Sequence, residues 1–131
     1  MAFPGSYTTI AEKFVEHYYN YFDCVEFRCH LRGVYHAQAM LIFEGESIQG
    51  QDNIMKKITS LPFKTIKHVV TKLDALPTTT GGILILITGQ LQADDDKPLS
   101  FSQVFNLHYE GESYSIINEF FRLSIHNIPV T

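Results

Sequence analysis

With 131 residues, 45% of them hydrophobic and 18% charged, the chain has the length of one domain, can bury a core unaided, and is too apolar for disorder. A net charge of −4, with no basic cluster beyond Lys56-Lys57, disfavours nucleic acid and acidic membranes, whose binding draws on neutralised phosphates. A basic protein partner is compatible with it.

Residues 1–9 have neither a basic start nor an apolar stretch, so no signal peptide is expected. Pro4-Gly5 breaks the chain before a helix that either Ser6 or Thr9 can cap. Ile10, Phe14, Tyr18 and Phe22 recur every fourth residue beside Ala11, Val15 and Tyr19, one broad apolar stripe at helical spacing. A short second helix is expected within Asp23–Val34. Cys24 and Cys29 have no second pair at zinc-finger distance, and His30 does not complete a four-ligand site. They read as free thiols in a reduced compartment, with no metal or cofactor expected.

Met40–Phe43 reads as a strand, Gly45-Glu46 as a turn, and Ser47–Gln49 as a short return strand. A third helix is expected over Gln51–Ser60, ended by Leu61-Pro62. Long strands follow over Thr65–Leu76, Ile83–Ala93, Leu99–Tyr109 and Ser113–His126. The longest strictly aliphatic run, Ile83–Ile87, is far short of the ~20 residues of a membrane span, so a soluble intracellular protein is expected.

Helices grouped ahead of an antiparallel meander define an α+β class in the order ααββαββββ, expected as a single domain over residues 1–131. Strands longer than the usual 5–6 residues require a strongly bent sheet, a cone wrapped around the long N-terminal helix. Three helices cover only one face. The unbroken apolar run Ile83–Ile87 asks for cover on both, and a second copy packed sheet to sheet is the expected solution. Leu86, Ile117 and Phe121 are assigned to that interface, the last two on the face opposite Phe120.

Phe43-Glu44-Gly45 puts an aromatic and a carboxylate together at a strand end, and Asp94-Asp95-Asp96 fills a hairpin turn. Read together, Glu44, Asp94 and Asp96 form an acidic rim around an apolar pocket floored by Phe43, suited to a Lys or Arg beside an exposed aromatic. As a turn residue, Asp94 is expected to support no core. An enzymatic alternative would draw on His17, His68, Asp23, Asp74, Tyr18 and Tyr19 inside the cone, but no nucleophile elbow, phosphate loop or metal motif accompanies them.

The segments Phe14–Tyr19, Phe22-Asp23, Phe43–Gly45, Ser60–Phe63, His68, Gly89–Asp94 and Phe121–Asn127 together resemble the nuclear transport factor 2 family. The resemblance runs from about Tyr7 to Asn127. It implies a homodimeric, non-enzymatic carrier that binds the small GTPase Ran in its GDP form and Phe-Gly-repeat nucleoporins, shuttling between cytoplasm and nucleus. Carried over by motif, Glu44, Asp94 and Asp96 would pair with basic residues of Ran, while a switch-region aromatic enters the pocket walled by Phe43. Tyr7 and Phe120 would meet the nucleoporin repeats. Family members commonly carry Trp at the positions of Tyr7 and Phe43. Two alternatives share the fold: a Phe-Gly-binding scaffold without Ran, and a small-molecule enzyme.

Overall fold

The apolar stripe of the first helix dictates the architecture. A computed structural model describes residues 6–124. The expected break at Pro4-Gly5 and the strand end at His126 lie outside them. Helix α1 spans Tyr7–Phe22 and buries Ala11, Val15, Tyr18, Tyr19 and Phe22. Ser6 stands at its N-cap without a side-chain bond to the helix.

The expected second helix is a 3₁₀ helix over Arg28–Val34. Strand β1 is Tyr35–Phe43, β2 is Glu46–Gln49, and helix α2 is Gln51–Thr59. Strands β3 (Ile66–Pro77), β4 (Ile83–Ala93), β5 (Leu99–Glu110) and β6 (Ser113–Leu123) complete the chain. The turn between β1 and β2 sits one residue earlier than expected, at Glu44-Gly45, with both residues at positive φ (49° and 87°). This is the requirement of a two-residue hairpin loop whose twist matches its strands.

All strands form one six-stranded sheet in the order β2-β1-β6-β5-β4-β3. The expected wholly antiparallel sheet is corrected at one ladder. β1 pairs with β6 in parallel, so the sheet is mixed. The intervening helix and three long strands supply the crossover that parallel pairing needs.

The inner face and α1 share the core. Ile83, Ile85 and Ile87 of β4, and Phe101, Phe105 and Leu107 of β5, are buried against the helix. Each large apolar side chain so buried contributes roughly 1.5–3 kcal/mol relative to exposure. The alternate residues Leu84 and Leu86 are 42% and 43% exposed, so the second face of β4 is open in the single chain. Ile42, Phe120, Val104 and Leu86 stand in cross-strand register across this outer face.

Phe121 does not belong there. It is 8% exposed, faces the core and stacks on Phe43 at 4.9 Å, which corrects its assignment to the outer face. Phe120 is the outward residue, 50% exposed. Ile117 falls in a register shift between the pairs Asn106–Asn118 and Leu107–Ile116, and this bulge reverses the strand's in-out alternation.

A second irregularity, between Val70 and Lys72, lies beside the pair Val70–Gly89 of β3 and β4. A Cβ on Gly89 would stand 2.1 Å from the carbonyl oxygen of Val69 and 3.2 Å from the Phe101 ring. Gly89→Ala is therefore expected to force the two strands apart and destabilise the fold by about 1–3 kcal/mol. Urea unfolding measures this; an unchanged midpoint would show that the strands separate there without cost.

Candidate functional site: an apolar cup with a carboxylate rim

The C-terminal end of α1 stops short of the sheet's end and leaves a cavity of about 240 Å³. Its buried part is formed by Tyr18, Tyr19, Ile58, Ile66, Leu91, Gln103, Glu119 and Phe121. Half-buried or exposed Phe43, Glu44, Leu61, Phe63, Leu99 and Leu123 stand at its mouth. The volume suffices for an aromatic ring, since an apolar cavity of about 150 Å³ already accepts benzene. Phe43, half-buried, is a wall of this cup, as the family resemblance implies, and not its floor.

The rim is built from turns. The hairpin places Glu44 at φ 49°, where its N–H donates to the carbonyl of Phe121 (3.0 Å) and its Oε1 accepts from the N–H of Leu123 (2.5 Å). Asp94, at φ 53°, is held in the same manner. Its Oδ1 accepts the N–H groups of Lys64 and Thr65, both at 2.9 Å, and its own N–H donates to the Thr65 carbonyl. The Thr65 N–H, first among these bonds, keeps the Asp94 carboxyl below its usual pKa. Asp94 is thus a clasp between the β4–β5 turn and the segment carrying Phe63, and it holds them at the surface, outside the core. Asp96 closes the turn through its main chain, its N–H donating to Ala93 and its carbonyl accepting from Gln92. Of the three acids only Glu44 lines the cavity; Asp94 and Asp96 stand just past Ala93, which does.

The remaining candidates lie apart. Tyr7 is half-buried at the start of α1, on the helical layer, and Phe120 projects from the opposite face of the sheet. Leu86 shares that outer face. His17 and Asp74 are exposed and outside the cup.

Sequence reasoning missed the polar centre. Glu119, 4% exposed, accepts from Tyr35 Oη–H (2.5 Å), Gln103 Nε2–H (2.6 Å) and, weakly, Tyr18 Oη–H (3.5 Å). The Tyr19 hydroxyl donates to Gln103 Oε1, and the Tyr18 and Tyr35 hydroxyls are bonded at 2.7 Å. Burial raises all three tyrosines above their ordinary range. Burial likewise pushes Glu119 up to about 7, against the hydrogen bonds that favour its charge. The register contained a signal, since Gln103 faces Phe121 and Glu119 faces Phe105, polar residues at core positions.

His68 and Asp23 have the form of a catalytic pair, with Nδ1 2.6 Å from Oδ1. Asp23 also accepts the His68 main-chain N–H, and the His68 ring, its side chain 3% exposed, is stacked on Tyr19. The pair fastens the end of α1 to β3. Among the described residues the lining holds no Ser, Thr, Cys or Lys to act as nucleophile. Among the described residues no group of three ligating side chains could hold a metal, and no helix is long and apolar enough to cross a membrane.

The inner face thus ends in an apolar cup with Glu44 in its lining, Asp94 and Asp96 beside it, and interior polar groups bonded to one another. Residues 10–123 match the family described as the Nuclear transport factor 2 (NTF2) domain. The chain is 45% identical to nuclear transport factor 2 of Neurospora crassa over 89% of its own length and 94% of that protein's. It is 42% identical to that of Saccharomyces cerevisiae, over 90% and 94%. The solved structure of nuclear transport factor 2 from Cryptosporidium parvum superposes with a TM-score of 0.88 at 38% identity, covering 95% of this chain and 99% of that one. The chain belongs to the nuclear transport factor 2 family, whose members are carriers in nuclear transport and not enzymes.

The buried acid sets a pH dependence. Glu119 keeps its proton to about pH 7 when folded, whereas an unfolded glutamate loses it near pH 4.5. The folded state therefore binds more protons between these values, and stability falls as pH rises through the window, by on the order of 3 kcal/mol. Urea unfolding from pH 4.5 to 7.5 measures the slope. Glu119→Gln is expected to flatten it, the hydroxyl rotors and the Gln103 amide reorienting around the new side chain. An equal slope in the variant would move the effect to another group.

Proposed function

We propose that this chain is a homodimeric carrier that binds Ran-GDP through the cup and Phe-Gly-repeat nucleoporins through Tyr7 and Phe120, moving Ran-GDP from the cytoplasm through the nuclear pore into the nucleus. The observation that carries the reading is the paired clasp at the rim. Glu44 and Asp94 each spend one oxygen on main-chain N–H groups and keep the other for a partner. Such carboxylates are ordered before the partner arrives, which lowers the entropic cost of pairing with Lys or Arg. The cup between them suits the aromatic side chain that such cations would flank. Preference for the GDP form then follows from the conformation of Ran's switch segment, which either presents that aromatic or withdraws it, with no contact to the nucleotide.

Family membership supports the same partners. The outer row of Ile42, Phe120, Val104 and Leu86 supports a second copy as the cover of the open face, because an apolar patch of this kind is unusual on a monomer.

Titration with Ran loaded with GDP, and in parallel with a GTP analogue, is expected to give binding to the GDP form alone. Asp94→Asn tests the rim more sharply than charge reversal, because Asn tolerates the left-handed backbone and still accepts from Lys64 and Thr65. It is expected to weaken Ran-GDP binding by about tenfold with the fold intact. Affinity equal to the parent's would remove Asp94 from the contact.

Leu86→Lys is expected to halve the mass in solution by light scattering while leaving the single chain folded. An unchanged mass would place the dimer contact on another surface.

A further inference from the structure

Guanidinium groups are rarely buried without a carboxylate, yet Arg28 is 2% exposed and no acid lies within ion-pair distance among the described residues. Its partners are the ends of two helices. Nε–H donates to the carbonyl of Phe22, the last residue of α1, at 2.8 Å, and Nη1–H to that of Ile58, near the end of α2, at 3.3 Å. Both carbonyls belong to helix ends that lack further intrahelical donors and carry partial negative charge. The guanidinium lies 4.6 Å from the ring centre of Phe22 and 5.0 Å from that of Phe63. Its Nη2 is buried with no partner among the described residues.

An apolar side chain of similar length would fill this space without desolvating a charge or leaving a donor idle, so stability alone is a poor account of Arg28. Only a planar cation can face two rings while bonding to two carbonyls along its edge. Three of its contacts, Phe22, Ile58 and Phe63, line the cup.

We propose that Arg28 is a positioning residue for the cup: it fixes the separation of the α1 and α2 ends, and with it the spacing of Phe22 and Phe63 that admits the partner's aromatic side chain. This rests on the reading of the cup as the Ran-GDP site. It places the determinant of fit outside the cup, on a residue that touches no ligand.

The test compares the parent, Arg28→Met and Arg28→Lys in the full chain. Methyl NMR of Ile58, Leu61 and Ile66 reports the cup without any partner; Leu84 and Leu86 report the outer face. In Arg28→Met the cup methyls are expected to shift and those of the outer face to stay. Affinity for Ran-GDP is expected to fall at least tenfold, and affinity for a Phe-Gly repeat peptide to stay within twofold. Arg28→Lys, which keeps the charge and can reach one carbonyl, is expected to fall between, and it carries the same comparison if the Met variant fails to fold. Cup methyls that do not move, or Ran and peptide affinities that fall together with the melting temperature, would overturn the proposal. If the parent itself does not bind Ran-GDP while the cup methyls still shift in the variant, the functional reading of the cup fails and the positioning role stands.

Discussion

At the centre of this molecule is a buried acid with no cation bonded to it among the described residues. Glu119 is held by Tyr35 of β1 and Gln103 of β5, and more weakly by Tyr18 of α1, while Tyr19 of the same helix completes the set through Gln103. A buried acid is tolerable only when its lone pairs are met, and here meeting them ties the helix to three strands at one depth and one rotation. An apolar stripe alone allows a helix to slide or roll across a sheet; this network does not. The end of α1 is fixed again by Asp23, which takes both the main-chain and the ring N–H of His68. The cup is what remains of the inner face beyond a helix that can advance no further.

The rim follows a second constraint, that of backbone turns. Glu44 and Asp94 both occupy left-handed conformations that non-glycine residues seldom adopt, and both are locked there by bonds to neighbouring strand ends. Strain of this kind persists where surrounding structure over-determines it. Here the bonds that retain the strained backbone also orient the charge. The rim carboxylates are therefore ordered in the free protein, before any partner is present.

Much of this was legible in the sequence, and the failures have a physical pattern. The helical stripe from Ile10 to Phe22 and the long strands could be read from periodicity, because burial acts on single faces of single elements. The acidic turn at Asp94–Asp96 and the Phe43-Glu44 pair at the end of β1 could be read because charged and glycine-flanked residues mark turns. The parallel ladder between β1 and β6 could not, since it joins segments separated by most of the chain. Phe121 was misplaced for a related reason. Glu119 shares its face, and a charged residue two positions away hides that this is the core face until Tyr35 and Gln103 are seen to satisfy it. The bulge at Ile117 then reverses the alternation that would have revealed the error. Arg28 was invisible because its partners are main-chain carbonyls, which carry no sequence signal.

The proposed nucleoporin contact makes a demand that a single chain does not meet. Tyr7 lies in the helical layer on the inner side of the sheet, and Phe120 projects from the outer side, flanked in register by Ile42 and Val104. One inserted phenylalanine cannot touch both through the thickness of the sheet. The second copy proposed to cover the outer face would have to supply a Tyr7 of its own beside Phe120 for both aromatics to meet one repeat. On that geometry the nucleoporin site is composite and exists only in the dimer, whereas the cup, bounded by α1, α2 and strand ends of one chain, is complete in each copy. Cargo binding and passage through the pore would then depend on different levels of structure, tertiary for the first and quaternary for the second. The open apolar face left by the helices is, in this account, the link between them.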